Sequence, residues 1–156
     1  MAYEPRRERA MSQAQHVHQL LQQLGPANAD VANVTQITED SWAVGFDPQS
    51  VVLLQLDDGG SRLVFTLAVG EAGEAVRPVV NQSLLAYNAL WRETGGVCMA
   101  VADGAVLQIC SVDAASLDLE RLSDVLANFV QKARVWRRYM ESAGSLGSEA
   151  AAGLRV

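Results

Sequence analysis

Apolar and polar positions alternate with two different periods along this chain, and the changes of period mark out its elements. Over residues 6–24, Ala10, Ala14, Val17, Leu21 and Leu24 recur at spacings of four and three, with Leu20 widening the row. That is one apolar stripe on a helix. Gly25-Pro26 is expected to stop it, because glycine favours the position after a helix and proline cannot continue one. The period then drops to two. Trp42, Val44 and Phe46 alternate with Ala43 and Gly45, and Asp47-Pro48 closes this strand. Residues 51–57 and 62–69 form two further strands around Asp58-Gly59-Gly60-Ser61. A four-residue loop sets Leu56 opposite Leu63, Leu54 opposite Phe65 and Val52 opposite Leu67, and pairs Asp57 with Arg62. Helical spacing returns after Pro78 with Val80, Leu84, Tyr87, Asn88 and Trp91, broadened by Leu85 and Leu90 and ended by Gly95-Gly96. The last stripe is the cleanest: Leu122, Val125, Leu126, Phe129, Val130, Ala133, Trp136 and Met140, with Asp118 placed to cap the helix.

Between these last two helices, Asp103-Gly104 splits two short apolar runs, a strong local signal for a tight hairpin. The first run has no polar residue on either alternation, neither Val97/Met99/Val101 nor Cys98/Ala100/Ala102. A strand in an antiparallel sheet normally keeps one face in water. Here both faces need cover, either from helices on both sides or from a second copy of the chain, and the second copy is the reading preferred. A two-residue turn pairs Ala102 with Ala105, Cys98 with Ile109 and Val97 with Cys110. The two cysteines then point to opposite faces, so no bridge forms within the hairpin, and reduced thiols are expected.

The order is α-β-β-β-α-β-β-α: a single α+β domain with a mainly antiparallel twisted sheet, expected to be homodimeric. Residues 27–40 read as irregular, with short extended pieces around Val31 to Ile37. Residues 1–7 are expected to be a flexible N-terminus, 8–143 the folded domain, and 144–156 a flexible tail too poor in apolar residues to pack.

Composition narrows the function. With 156 residues, 49% of them hydrophobic, the chain can build one real core. No segment approaches the ~20 apolar residues of a membrane span, and no apolar run follows the charged N-terminus as in a secretory signal. A cytoplasmic protein without membrane insertion is expected. Between Asp30 and Asp124 there are 14 acidic and 4 basic residues, a local net of −10. Such a body argues against nucleic acid as a partner, since phosphate binding needs a basic face. Lys132, Arg134, Arg137 and Arg138 read as the solvated side of the last helix.

Catalytic chemistry finds little to work with. Gly70-Glu71-Ala72-Gly73 matches neither a phosphate loop nor a dinucleotide fingerprint. His16 and His18 point about 200° apart on the first helix, cannot share a metal, and read as solvated. Glu39/Asp40 and Asp57/Asp58 sit where turns are expected, as solvated turn formers. No enzyme, no cofactor and no metal is expected. Apolar residues in excess of what a monomer needs suggest protein partners, and a free sheet edge can accept an extended peptide as an added strand.

The segments together resemble the class I type III secretion chaperones, the family that includes the chaperone of the intimin receptor. The resemblance spans about residues 8–141. It is carried by Leu20-Leu21-Gln22-Gln23-Leu24-Gly25 in the first helix, Phe46-Asp47 with Val51-Val52-Leu53-Leu54, and Leu84-Leu85-Ala86-Tyr87-Asn88. Asp103-Gly104-Ala105-Val106-Leu107 and the series Leu117-Asp118, Leu122, Leu126, Phe129-Val130, Ala133 and Trp136-Arg137 complete it. The resemblance implies a small, acidic, bacterial cytoplasmic homodimer that binds the extended N-terminal segment of a secreted effector and keeps it soluble without nucleotide. It also implies release associated with the ATPase of the secretion apparatus. Carried over by position, the client surface draws on Val17, Leu20, Leu21, Leu24, Trp42, Val44 and Phe46, and the dimer seam on Leu85, Trp91, Val97, Met99 and Val101. A carboxylate at Met99 should then split the dimer or unfold the chain. A non-enzymatic adaptor or regulatory module of the same fold stays open, as does a small-molecule sensor, although nothing polar in the expected core marks a pocket.

Overall fold

A computed structural model describes the backbone of residues 4–153 and the side chains of residues 5–144. In chain order the elements are α1 (Glu4–Ala27), β1 (Asn33–Thr38), β2 (Ser41–Asp47), β3 (Ser50–Leu56), β4 (Arg62–Glu71), α2 (Arg77–Ala89), β5 (Cys98–Ala102), β6 (Ala105–Asp113) and α3 (Leu119–Gly153). The strands form one six-stranded sheet in the order β1-β2-β3-β4-β6-β5, with every neighbouring pair antiparallel. This is the α+β domain expected from the sequence, with one strand more.

The expected registers hold. Leu56 faces Leu63, Leu54 faces Phe65 and Val52 faces Leu67. At the turn, Asp57 N–H donates to Arg62 O at 3.0 Å. In the second hairpin Ala102 faces Ala105 and Cys98 faces Ile109, while Val97 lies just before the paired residues. Both turn residues have left-handed backbones, Asp103 at φ 51° and Gly104 at φ 81°, as a two-residue turn that follows strand twist requires. Cys98 is exposed and Cys110 buried, on opposite faces.

α1 and α3 cover one face of the sheet. Trp42, Val44, Leu54, Leu63, Phe65 and Leu67 point from the sheet into that layer, and Val17, Leu21, Leu24, Leu122, Leu126 and Phe129 meet them from the helices, all 2% exposed or less. Phe65 and Phe129 stack edge to face with centroids 6.0 Å apart. Asp118 caps α3, its carboxylate accepting from Arg121 N–H at 2.8 Å. Gly60 brings the β3–β4 turn against α1, where a Cβ would stand 2.6 Å from Ala10 Cα. Two polar side chains lie fully buried in this core, Ser50 at the start of β3 and Gln108 of β6, whose Nε2 donates to Phe129 O at 2.7 Å, so the core is not as uniformly apolar as the sequence reading has it.

Five boundaries depart from the sequence reading, one of them the end of α2, which stops at Ala89, short of Trp91 and Gly95-Gly96. α1 runs through Gly25-Pro26 to Ala27, because a proline in the last turn forfeits a single helical bond and Asn28 N–H still reaches Leu24 O at 2.9 Å. It also takes in residues 4–7 of the segment expected to be flexible, of which 1–3 lie outside the described residues. Residues 33–38, expected to be irregular, form the edge strand β1. The backbone of residues 144–153, expected as loose tail, continues α3, consistent with the helix propensity of its alanines; residues 154–156 lie outside the described residues.

Candidate protein-binding surfaces

The two edges of the sheet differ. β1 pairs with β2 on one side only, and of its six residues Val34 alone is partly buried. α1 runs beside it, leaving two hollows between helix and strand. One is lined by Met11, Ala14, Gln15, His18, Gln36 and Glu39. The other, of about 330 Å³, is lined by His18, Leu21, Gln22, Gly25, Val34, Gln36 and Trp42. Exposed Met11 adds apolar surface on the helix bank of the first hollow, and exposed Ile37 lies in β1 where its register shifts, outside both hollows. An unpaired edge beside such a groove has what an added strand needs: backbone donors and acceptors in a row, and recesses for every second side chain.

His18 is the polar centre of the groove. Trp42 Nε1–H donates to His18 Nδ1 at 3.2 Å, and the Gln22 side-chain amide lies 3.0 Å from Nε2. His16, on the other flank of α1, donates from Nε2 to Leu117 O at 2.9 Å. Neither histidine is merely solvated, as the sequence reading has them; each ties α1 to another element. Their partners are far apart in the chain, and no local pattern signals them.

The client residues expected from the resemblance need correction. Val17, Leu20, Leu21, Leu24, Trp42 and Val44 are all buried in the protomer core, and Phe46 is half-buried. They hold α1 and β2 to the sheet. Of the seven, Leu21 and Trp42 also line the second hollow, so the structure brings those two to the groove floor and leaves the others beneath the surface. Met11, the exposed apolar residue on the groove, carries no sequence signal that separates it from other surface residues.

At the opposite end of the sheet the expected dimer residues divide. Leu85 of α2, Trp91 after it and Val101 of β5 are 71%, 62% and 47% exposed, and Leu90 beside them is 54% exposed. Val97 and Met99 are buried in the protomer itself, which corrects their placement in a seam. The sheet face away from α1 and α3 is also largely uncovered. Ala43, Leu53, Thr66, Ile109 and Cys98 form one row across five strands of that face, and no charged residue interrupts it. Cys98, Ala100 and Ala102 thus lack cover on the second face, as the hairpin pattern suggests.

Charge enters at a third place, where α3 crosses the β2–β3 turn. Arg134 forms an ion pair with Asp47 at 2.8 Å, and this contact holds the Asp47 carboxyl down at about 2. Arg137 donates to Val69 O at 3.0 Å and to Gln49 O at 2.6 Å, so this basic segment is partly a clamp on the sheet. Burial pushes the Cys110 thiol up to about 12. Among the described residues, no group of three or more His, Cys, Asp and Glu side chains is placed to hold a metal, and no helix is long and apolar enough to cross a membrane.

Comparison with known proteins gives this arrangement a context. The chain resembles a chain in the crystal structure of the ExsC-ExsE complex, at 22% identity and a TM-score of 0.63 over 81% of this chain and 95% of that one. It is also similar to a chain of the HopA1-SchA chaperone-effector complex, at 14% identity and a TM-score of 0.61 over 78% and 93%. A third likeness is to the Yersinia pestis type III secretion chaperone SycH in complex with a fragment of YscM2, at 22% identity and a TM-score of 0.55 over 76% and 97%. At these identities the likeness is one of fold. No curated protein matches the chain by sequence. The sequence pattern of one family, however, matches residues 15–137, from the middle of α1 to the clamp of α3, and the chain belongs to that family, the Tir chaperone protein (CesT) family.

Proposed function

We propose that this protein is a type III secretion chaperone: a bacterial cytoplasmic homodimer, without catalytic activity or cofactor, that holds the N-terminal segment of a secreted effector in extended form. The observation that carries the reading is the open β1 edge beside the α1 groove. A client strand paired to β1 gains backbone hydrogen bonds along its length. Its alternate side chains enter the two hollows, one floored by Leu21 and Trp42 and the other lined by Met11 and Ala14. Holding of this kind needs no nucleotide, and release falls to the ATPase of the secretion apparatus. Residues 8–143 form the chaperone domain. A second copy covers the α2–β5 end, where Leu85, Leu90, Trp91 and Val101 leave apolar surface in water. Family membership and the chaperone-effector complexes among the structural neighbours support the reading.

The test is co-expression with a candidate secreted effector, followed by hydrogen exchange of the purified complex. Protection of the β1 amides, together with loss of the complex in Met11→Lys, is the expected result. A complex in which β1 exchanges as in the free protein would sink the proposal.

A further inference from the structure

β5 is the other edge of the sheet, yet it is not open. In the two-residue hairpin Ala102 and Ala105 turn their backbone groups toward each other, so Cys98 and Ala100 also face β6, while Val97, Met99 and Val101 present theirs outward. Asn88, half-buried in the last turn of α2, takes both of the Met99 groups: its Nδ2 donates to Met99 O at 2.8 Å, and its Oδ1 accepts from Met99 N–H at 2.8 Å. One side chain thereby supplies the pair of bonds that a neighbouring strand residue would supply. The buried Thr94 hydroxyl stands 2.9 Å from Val97 O, and Lys132 Nζ holds the Thr94 carbonyl at 2.9 Å. Only Val101, beside the turn, keeps its outward groups free of such partners. At the β1 edge, by contrast, no side chain among the described residues bonds the backbone of Asn33–Thr38.

We propose that Asn88 seals the β5 edge by standing in for a neighbouring strand, so that any extended segment, including an edge of another copy, is confined to β1. The consequence for client binding rests on the reading above. The seal itself does not. An unsealed β5 would be a second, uncharged edge of Val, Met, Ala and Cys residues, the composition that pairs edge to edge with copies of itself.

The experiment uses the full chain without client. Asn88→Ala keeps helix propensity and frees both Met99 groups. Hydrogen exchange at low protein concentration should show the Met99 amide opening about tenfold faster than in the unsubstituted chain. Sedimentation over rising concentration should show assemblies larger than those of the unsubstituted chain, with the Met99 and Val101 amides protected again inside them. If Asn88→Ala does not fold, Asn88→Asp keeps the acceptor for Met99 N–H and frees Met99 O alone, and larger assemblies are again expected. Unchanged exchange at Met99 overturns the proposal, and so does faster exchange with unchanged assembly at every concentration. Because no client is present, either failure leaves the β1 reading standing, and an unprotected β1 in the effector complex would leave the seal standing.

Discussion

Trp91 offers the sharpest test of where two copies meet. Its ring is 62% exposed and lies next to Leu90, at 54%, with an arginine guanidinium 5.1 Å from its centroid. A tryptophan has about 250 Å² to bury, so some 150 Å² of this one remains to be covered, worth up to about 4 kcal/mol at ~25 cal/mol per Å². Interface tryptophans cost about 2–4 kcal/mol on truncation. In a two-fold dimer each substitution counts twice, because the same patch serves both copies. Trp91→Ala should therefore weaken dimerisation by at least about 4 kcal/mol, roughly a thousandfold in Kd. Its effect on the protomer should be small, since little of the ring is packed there. Sedimentation velocity over a concentration series reads the first effect and a thermal melt of the monomeric variant the second. Met99→Glu cannot make this distinction: Met99 is 5% exposed within one protomer, and an unpaired carboxylate there unfolds the chain whether or not a partner exists. A Trp91→Ala protein with the dimerisation constant of the unsubstituted chain would refute the placement of the seam.

Three further outcomes follow from contacts within the protomer. Gly60→Ala forces a Cβ to 2.6 Å from Ala10 Cα at a left-handed φ of 66°; a loss of about 2 kcal/mol or more, read by urea denaturation, is expected, with faster exchange in the first half of α1. The Asp47 carboxyl is lowered in the folded state to about 2 from an ordinary 3.8, so the Arg134 pair adds stability above the ordinary value that is lost as pH falls from about 4 toward 2. Because both side chains are more than a third exposed, the contribution should stay below about 1 kcal/mol and shrink in salt, and Arg134→Ala should remove that part of the acid dependence. Alkylation of the native protein at pH 8 should label Cys98 and leave Cys110 unmodified, since Cys110 is buried and its thiol is pushed up to about 12; equal labelling would mean that β6 opens readily.

Strand register was legible because it depends on a period of two and on turn chemistry. Leu54 and Phe65 both fall on the core face once the β3–β4 loop has four residues, and the Asp103-Gly104 turn leaves one register for β5 and β6. β1 was not legible as a strand. Its sequence, Asn33-Val34-Thr35-Gln36-Ile37-Thr38, buries no side chain fully and shifts register between Gln36 and Thr38, so neither alternation nor composition marks it. Pairing to β2 creates it. The client residues fail for a different reason. Val17 and Leu24 belong to the apolar stripe of α1 and lie in the core, whereas Met11 on the groove bank lies more than 100° around the helix from both, and a period shows which side of a helix is apolar, not which residues flank a groove. Val97 and Met99 fail the same way: an all-apolar strand shows that two faces need cover, but the protomer's own core takes these two side chains and leaves Cys98, Ala100 and Ala102 open. His18, Asn88 and Gln108 depend on partners 24, 11 and 21 positions away, and polar residues of that kind look like surface in any local window.

The opposite placement of the two surfaces sets a length for the client. β1 and β5 are the outer strands of a six-stranded sheet, hence five spacings of about 4.8 Å, or about 24 Å, apart. If the second copy joins at the α2–β5 end, the two β1 edges lie at the far ends of the dimer, separated by at least about 48 Å. An extended chain covers about 3.3 Å per residue, so one client that pairs with both edges needs at least about 15 residues between its two strand segments, and more where it follows the curved surface. A series of effector fragments with that intervening segment progressively shortened should therefore lose affinity abruptly, not gradually, once the segment falls below this span, because the second site ceases to be reachable. In the shorter fragments β1 should remain protected from exchange in one protomer and open in the other. Retention of full affinity by a fragment with only a few intervening residues would mean that the two β1 edges lie close together, and the dimer would then have to be built through the β1 side instead of α2 and β5.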